Sequence, residues 1–156
     1  MTTIKDAVED LLNHRRLTVD EAVDRHFGPT FGQRTNGRWD DRDAFLARIV
    51  LLREAVDHAT ITVVDELVDA DRYAERHVIE LVKRDGERMV QEVYVFAERD
   101  PDGRFTRIEE ATVMLEQTVT GPRKARKKHL SLSTQVLDAF RVFWLPDLGS
   151  NQGPTD

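Results

Sequence analysis

Three residues of this 156-residue chain, His77, Tyr94 and Glu110, have side chains that could do acid–base chemistry together, and two turn signals set their spacing. Asp85-Gly86 reads as a two-residue hairpin turn with positive φ at both central positions. If Arg84 pairs with Glu87 across it, His77 lies opposite Tyr94. Asp100-Pro101-Asp102-Gly103 reads as a type I turn followed by a left-handed glycine. Asp100 then pairs with Arg104, and Tyr94 lies opposite Glu110. In that row Glu110 would orient the imidazole, His77 would move the proton, and Tyr94 would donate to a developing oxyanion. Glu92, one pair along, is a second candidate base whose pKa the apolar Ile79 and Val90 would raise. The same three groups would equally satisfy one another inside a core with no reaction at all, so turnover is left open.

The elements that position this row begin with helical spacing. Ile4, Ala7, Val8, Leu11 and Leu12 predict a helix over about residues 4–15, with Thr3 as its cap. Thr18-Val19-Asp20-Glu21 is a capping box for a short second helix that runs to Phe27. Gly28-Pro29 reads as its end, and Gly32 to Gly37 as a loop. Asp40 or Asp41 caps a third helix with the core stripe Phe45, Ile49, Leu52 and Val56. From Thr60 the period becomes alternating, and strands are predicted over about 73–84, 87–99 and 104–117 after a first one led by Ile61 to Val64. Strands of that length must twist and curve.

The predicted register sorts the strands into two faces. The first carries Glu75, Phe96 and Ile108, then His77, Tyr94 and Glu110, then Ile79, Glu92 and Thr112. It mixes large apolar groups with a polar band, the composition of a ligand pocket. Trp39, just before the third helix, is expected as a wall. The second face carries Val78, Val93, Val95 and Ala111, which predicts a contact with another subunit or a helix.

Three N-terminal helices followed by a long antiparallel meander resemble the nuclear transport factor two-like fold, which includes the SnoaL-like and ketosteroid-isomerase-like families. The resemblance spans about residues 3–118. It rests on Gly37-Arg38-Trp39-Asp40 through Phe45, Tyr73-Ala74-Glu75-Arg76-His77-Val78, Glu92-Val93-Tyr94-Val95-Phe96, and Gly103-Arg104-Phe105-Thr106-Arg107-Ile108-Glu109-Glu110. It implies a cystatin-like α+β fold: a cone in which N-terminal helices pack on a strongly curved antiparallel sheet, with the opposite sheet face often forming a homodimer. It implies a pocket for a small hydrophobic molecule, to which Trp39, Glu92, Phe96, Ile108 and Thr112 would contribute as ligand-binding residues. Families of this fold include isomerases, polyketide cyclases, dehydratases, epoxide hydrolases and proteins with no known reaction. The tyrosine that ketosteroid isomerases carry on the first helix is missing here, so that mechanism does not transfer. An acid–base enzyme of the isomerase, cyclase or dehydratase type would have to use His77, Tyr94 and Glu110, and a dimeric interaction module without turnover is the other alternative.

Composition bounds the partners. Residues 1–118 hold seventeen Lys and Arg against twenty-six Asp and Glu, a net −9, whereas the rest of the chain carries six against three. An acidic body argues against nucleic acid as the domain's partner. The chain has no cysteine, which excludes disulfides and thiolate metal sites and suits the cytoplasm. No run approaches a membrane span. His14, His26, His58 and His129 show no ligand spacing, so no metal and no cofactor are expected. Asp65-Glu66 and Asp69 to Asp71 read as a solvated strand edge, and no nucleophile elbow or phosphate loop is present. Residues 119–156 read as a separate basic tail. Arg123 to Lys128, followed by the spacing Leu132, Val136, Ala139, Phe140 and Phe143, fit a nucleic-acid or membrane-surface arm, a dimer-swapping helix or a disordered appendage. Asp147 to Pro154 also resembles peptides encoded where a reading frame runs into a transfer-RNA gene.

Overall fold

The computed structural model of the chain describes residues 1–118. The basic run, the apolar stripe behind it and the Gly-Ser-Asn segment of the tail all lie outside the described residues. Helix α1 spans Ile4–Val8 and continues as a wider π-helical turn over Glu9–Asn13, so the single helix expected there changes its pitch midway. Thr3 caps it, its hydroxyl accepting from Asp6 N at 3.1 Å. Helix α2 covers Val19–His26 behind the expected capping box: Thr18 Oγ1 accepts from Glu21 N at 3.2 Å, and Glu21 Oε2 accepts from Thr18 N at 2.8 Å. Helix α3, Arg42–Ala55, starts at Asp41, whose carboxylate accepts from Ala44 N at 2.9 Å. Its apolar stripe of Phe45, Ile49 and Leu52 is buried, as the spacing predicts, whereas Val56, expected as the stripe's last member, lies past the helix end and opens the next strand, where it is buried too.

Residues 28–37, expected as a helix end and a loop, instead form most of a hairpin of β1, Phe27–Thr35, and β2, Arg38–Asp41. The signal for it is Asn36-Gly37, at φ 49° and 92°, the two-residue turn that matches strand twist. Four long strands follow: β3 Val56–Asp69, β4 Arg72–Lys83, β5 Arg88–Arg99 and β6 Phe105–Thr118. The sheet order is β2-β1-β6-β5-β4-β3. All neighbours are antiparallel except β1 and β6, whose ladder is irregular between Phe27 and Gly32, where Pro29 has no N–H to give. The three helices pack on this six-stranded, mostly antiparallel curved sheet, and Phe27, Phe31 and Phe45 meet in the core with ring centroids 4.6–5.0 Å apart.

The register differs from the expected one at both turns. Lys83, not Arg84, closes the first hairpin: Lys83 N donates to Glu87 O at 2.8 Å and Gly86 N to Lys83 O at 3.0 Å. The loop thus has three residues, with Gly86 alone at positive φ, 88°. The second hairpin closes at Asp100 and Arg104 as expected, but an irregularity between Glu98 and Arg99 then shifts the β5–β6 pairing by one. A slip of one residue turns every side chain of a strand over. The two slips compensate for β4 and β6, which keep their expected faces, and leave β5 reversed. Val93 and Val95 therefore point into the core, and Tyr94 and Phe96 point out, with 40% and 72% of their surfaces exposed.

The helix-free face of the sheet thus differs from the small aliphatic one expected. It exposes Leu67, Phe96, Val113 and Leu115 among ion pairs such as Arg76–Asp65 at 2.8 Å and Arg34–Glu109 at 3.1 Å. No helix of the described residues is long and apolar enough to cross a membrane.

Candidate functional site

A cavity of about 80 Å³ lies between the concave face of the sheet and helices α1 and α3. Ala7, Val8 and Leu11 of the first helix, Phe45 and Ile49 of α3, and Ile108 of β6 give it apolar walls. Three polar side chains interrupt them: Gln33, His77 and Glu110. Each arrives by the same rule, an inward position on a strand whose alternate residues form the core. Glu110 pairs with Val95, which pairs with Glu75, so one cross-strand row runs Glu75, Val95, Glu110 and on to Thr35 of β1. The next row is His77, Val93 and Thr112.

Glu110 is the best-anchored of the three. Its Oε1 accepts from Gln33 Nε2 and from Thr35 Oγ1, both at 2.8 Å. Burial pushes its carboxyl above the usual 4.5, against the opposing pull of the Thr35 hydrogen bond, the Arg48 and His77 charges and the Gln33 amide. Behind it stands a second polar layer. The buried Arg48 of α3 is ion-paired with the buried Asp40 and reaches Gln33 Oε1 at 3.4 Å. Burial brings the Arg48 guanidinium down to about 10, while the charge of Glu110 holds it up. Asp40 also lies 3.7 Å from Arg38 Nε.

His77 is 3% exposed and turns Nδ1 toward Glu75 Oε1 at 2.6 Å. Neither atom is aligned for a hydrogen bond, so the contact is a close approach of two buried polar groups that a small rotation of the ring would complete. The second oxygen of Glu75 receives the Tyr73 hydroxyl, which also meets Glu66 Oε1 at 2.8 Å. Two carboxylates around one phenol, together with burial, push the Tyr73 hydroxyl well above its ordinary pKa; burial is the largest cause.

The expected row of His77, Tyr94 and Glu110 is therefore broken at its middle. His77 and Glu110 share the cavity. Tyr94 pairs with Arg76 on the outer face, Glu92 sits on that face 3.6 Å from Arg76, and Phe96 is exposed there, so none of these three touches the cavity. Of the other expected lining residues, Ile108 is a wall. Thr112 faces inward at the rim, where its Oγ1 accepts from Asn36 Nδ2 at 2.8 Å. Trp39 is half exposed on β2 under Arg107, whose Cζ is 5.0 Å from the ring centroid. Gln33, Arg48 and Asp40 were missed. The Asn36-Gly37 turn was the available signal, because it makes β1 a strand and puts Gln33 and Thr35 on its inner face.

Among the described residues no cluster of His, Asp or Glu has the arrangement of a metal site. Chemically, the cavity offers a carboxyl of raised pKa and an imidazole backed by a carboxylate at one polar end of an apolar space. That is enough to orient a ligand's single polar group or to exchange a proton with it.

No family model matches the sequence, and neither does any curated protein. Solved structures do match in shape. An epoxide hydrolase of M. tuberculosis, described as LEH-like, superposes with a TM-score of 0.58 at 14% identity, over 70% of this chain and 79% of that one. An NTF2-like protein of unknown function from an Exiguobacterium species gives 0.54 at 19% identity, over 73% and 99%. A Catenulispora acidiphila protein with a ketosteroid isomerase-like fold, in complex with trimethylamine, gives 0.53 at 9% identity, over 70% and 85%. These likenesses, with the helices and the six-stranded curved sheet described above, establish that the chain has the nuclear transport factor two-like, ketosteroid-isomerase-like α+β fold.

Proposed function

We propose that the concave cavity binds a small, largely apolar molecule with one polar group, and that Glu110 and His77 address that group. The observation that carries this reading is the gathering of Gln33, His77 and Glu110 at one end of an otherwise apolar space. The space of about 80 Å³ is well below the roughly 300–1,000 Å³ of a drug-sized pocket, which suits a small ligand. A larger ligand has to displace the first helix, whose π-helical turn over Glu9–Asn13 already departs from regular pitch at the cavity wall. The trimethylamine carried by the Catenulispora protein is a molecule of this small size.

Titration with a series of alcohols from ethanol to phenol, followed by NMR, tests the reading. Expected are millimolar affinities, with shifts concentrated at His77, Glu110 and Ile108, and their loss in Val8→Trp, which fills the cavity. Shifts confined to the outer sheet face, or unchanged binding in Val8→Trp, overturn it.

A second reading, acid–base turnover, is favoured by the raised pKa of Glu110 beside an imidazole held by Glu75. In it Glu110 and His77 give and take the proton, without the oxyanion donor that Tyr94 was expected to supply. The protein acts as a homodimer in either reading, joined through the exposed apolar face of the sheet.

A further inference from the structure

We infer that Glu75, Tyr73 and Glu66 form a proton path joining His77 in the cavity to solvent at the outer end of β3. The inference rests on the acid–base reading of the cavity and extends it to the source of its protons.

The path is a run of close polar contacts, of which the first, from His77 to Glu75, needs a small ring rotation to align as a hydrogen bond. His77 Nδ1 lies 2.6 Å from Glu75 Oε1, Glu75 Oε2 meets the Tyr73 hydroxyl, and that hydroxyl is 2.8 Å from Glu66 Oε1. Its two ends differ as a path requires. His77 lines the cavity, while Glu66 is exposed on β3, opposite Glu75 in the ladder. Between them Tyr73 and Glu75 are 1% and 4% exposed, so water does not replace them. Arg99 stacks over the Tyr73 ring, its Cζ 4.4 Å from the centroid, and helps hold the ring in place.

The proton count around Tyr73 is the telling feature. One phenol has one proton and cannot donate to both carboxyls at once. The second contact is a hydrogen bond only when a carboxyl carries a proton and gives it to the phenol oxygen. A group flanked in this way passes protons by gaining one as it loses one. Strong stabilisation of the neutral phenol fits that role, since no tyrosinate has to form.

Outward transfer balances as follows. With Glu75 protonated on Oε2, the His77 imidazolium gives its Nδ1 proton to Glu75 Oε1, Glu75 gives its Oε2 proton to the Tyr73 oxygen, and Tyr73 gives its hydroxyl proton to the Glu66 carboxylate. His77 ends neutral, Glu66 ends protonated, and Glu75 and Tyr73 each hold one proton as before. Inward transfer is the reverse.

The test needs no substrate. In full-length protein labelled with ¹⁵N-histidine, NMR measures how fast the His77 ring N–H exchanges with water. Tyr73→Phe removes the hydroxyl and leaves the packed ring. Glu66→Gln alters an exposed side chain. Both are expected to slow ring exchange about tenfold or more, on the scale of a positioned proton-transfer group, with backbone amide exchange of β4 unchanged. Equal ring exchange in the wild type and both variants overturns the path. Slowing by Tyr73→Phe that Glu66→Gln does not reproduce also overturns it, since the proton then leaves by another route. Neither residue lines the cavity, so alcohol binding is expected to survive in both. Loss of alcohol binding from the wild type with exchange intact would instead count against the proposed function.

Discussion

Two carboxyls of this chain are pushed the same way by burial and end with opposite net shifts, because they differ in what compensates it. At Asp10 burial pushes the pKa up, but hydrogen bonds from His26 at 2.8 Å, His14 at 2.5 Å and Arg25 at 2.8 Å outweigh it and hold the group at about 2. Its contribution to stability is present above the usual 3.8 and is lost as pH falls toward the folded value. Glu110 has weaker compensation, and burial wins. Its folded pKa lies above the unfolded one, so its contribution is complete below 4.5 and is lost as pH rises through the folded value. The loss should run at about 1.4 kcal/mol per pH unit between the two pKa values. Glu110→Gln keeps an acceptor oxygen for Gln33 and Thr35 but cannot titrate. Urea unfolding midpoints from about pH 4 to about pH 8 are expected to fall in the wild type relative to Glu110→Gln. Parallel curves would remove the burial argument for Glu110.

At the scale of elements, the hairpin of β1 and β2 decides whether Glu110 is held. Asn36, at the turn, does three things: its backbone N–H donates to Glu110 O at 3.0 Å, its Nδ2 donates to Thr112 Oγ1 at 2.8 Å, and its Oδ1 accepts from Thr112 N at 3.0 Å. It also occupies the left-handed region, which asparagine adopts at less cost than alanine. Asn36→Ala is therefore expected to cost about 1–3 kcal/mol, two hydrogen bonds plus the backbone term, and to loosen β6 at Glu110. Chemical denaturation and β6 amide exchange read both effects, and a variant within 0.5 kcal/mol of the wild type would show the turn to be dispensable. The same hairpin shows what the sequence could not make plain. Helix caps such as Thr18 and stripes such as Phe45, Ile49 and Leu52 act within one element, and they read directly. Register depends on turn length, and Asp85-Gly86 suits both a two-residue and a three-residue loop. The difference of one residue moved Tyr94, Glu92 and Phe96 out of the site. His77 and Glu110 stayed together because the irregularity before Arg99 turned the second pairing back. Arg48 was invisible for another reason: its role arises from contacts between α3 and β1, elements that no local pattern brings together.

At the scale of the whole molecule, the sheet has two faces, and the helices cover only one. The other exposes Phe96 and Leu67, each at 72% and in one cross-strand row, with Val113 and Leu115 farther along β6. A groove of about 620 Å³ runs between Leu67 on one side and Phe96 and Arg107 on the other. Apolar side chains at the centre with charged pairs such as Arg107–Glu109 around them match the anatomy of a protein interface. A two-fold axis through such a face brings the same patch of two copies together, and a stable pair needs about 800 Å² from each. In a dimer of that kind Phe96 enters twice. Phe96→Asp would then bury two carboxylates in the apolar centre and is expected to weaken association at least about thirtyfold, the 2 kcal/mol of a strong contact residue. The folded chain itself should lose no more than about 0.5 kcal/mol, because Phe96 packs against solvent in the single copy. Sedimentation equilibrium of the full-length wild type and Phe96→Asp proteins, beside their unfolding curves, separates the two effects. A wild-type chain that stays monomeric at high concentration, or a Phe96→Asp protein that still dimerises as tightly, would rule out this face as the joint and leave its apolar groove to another occupant.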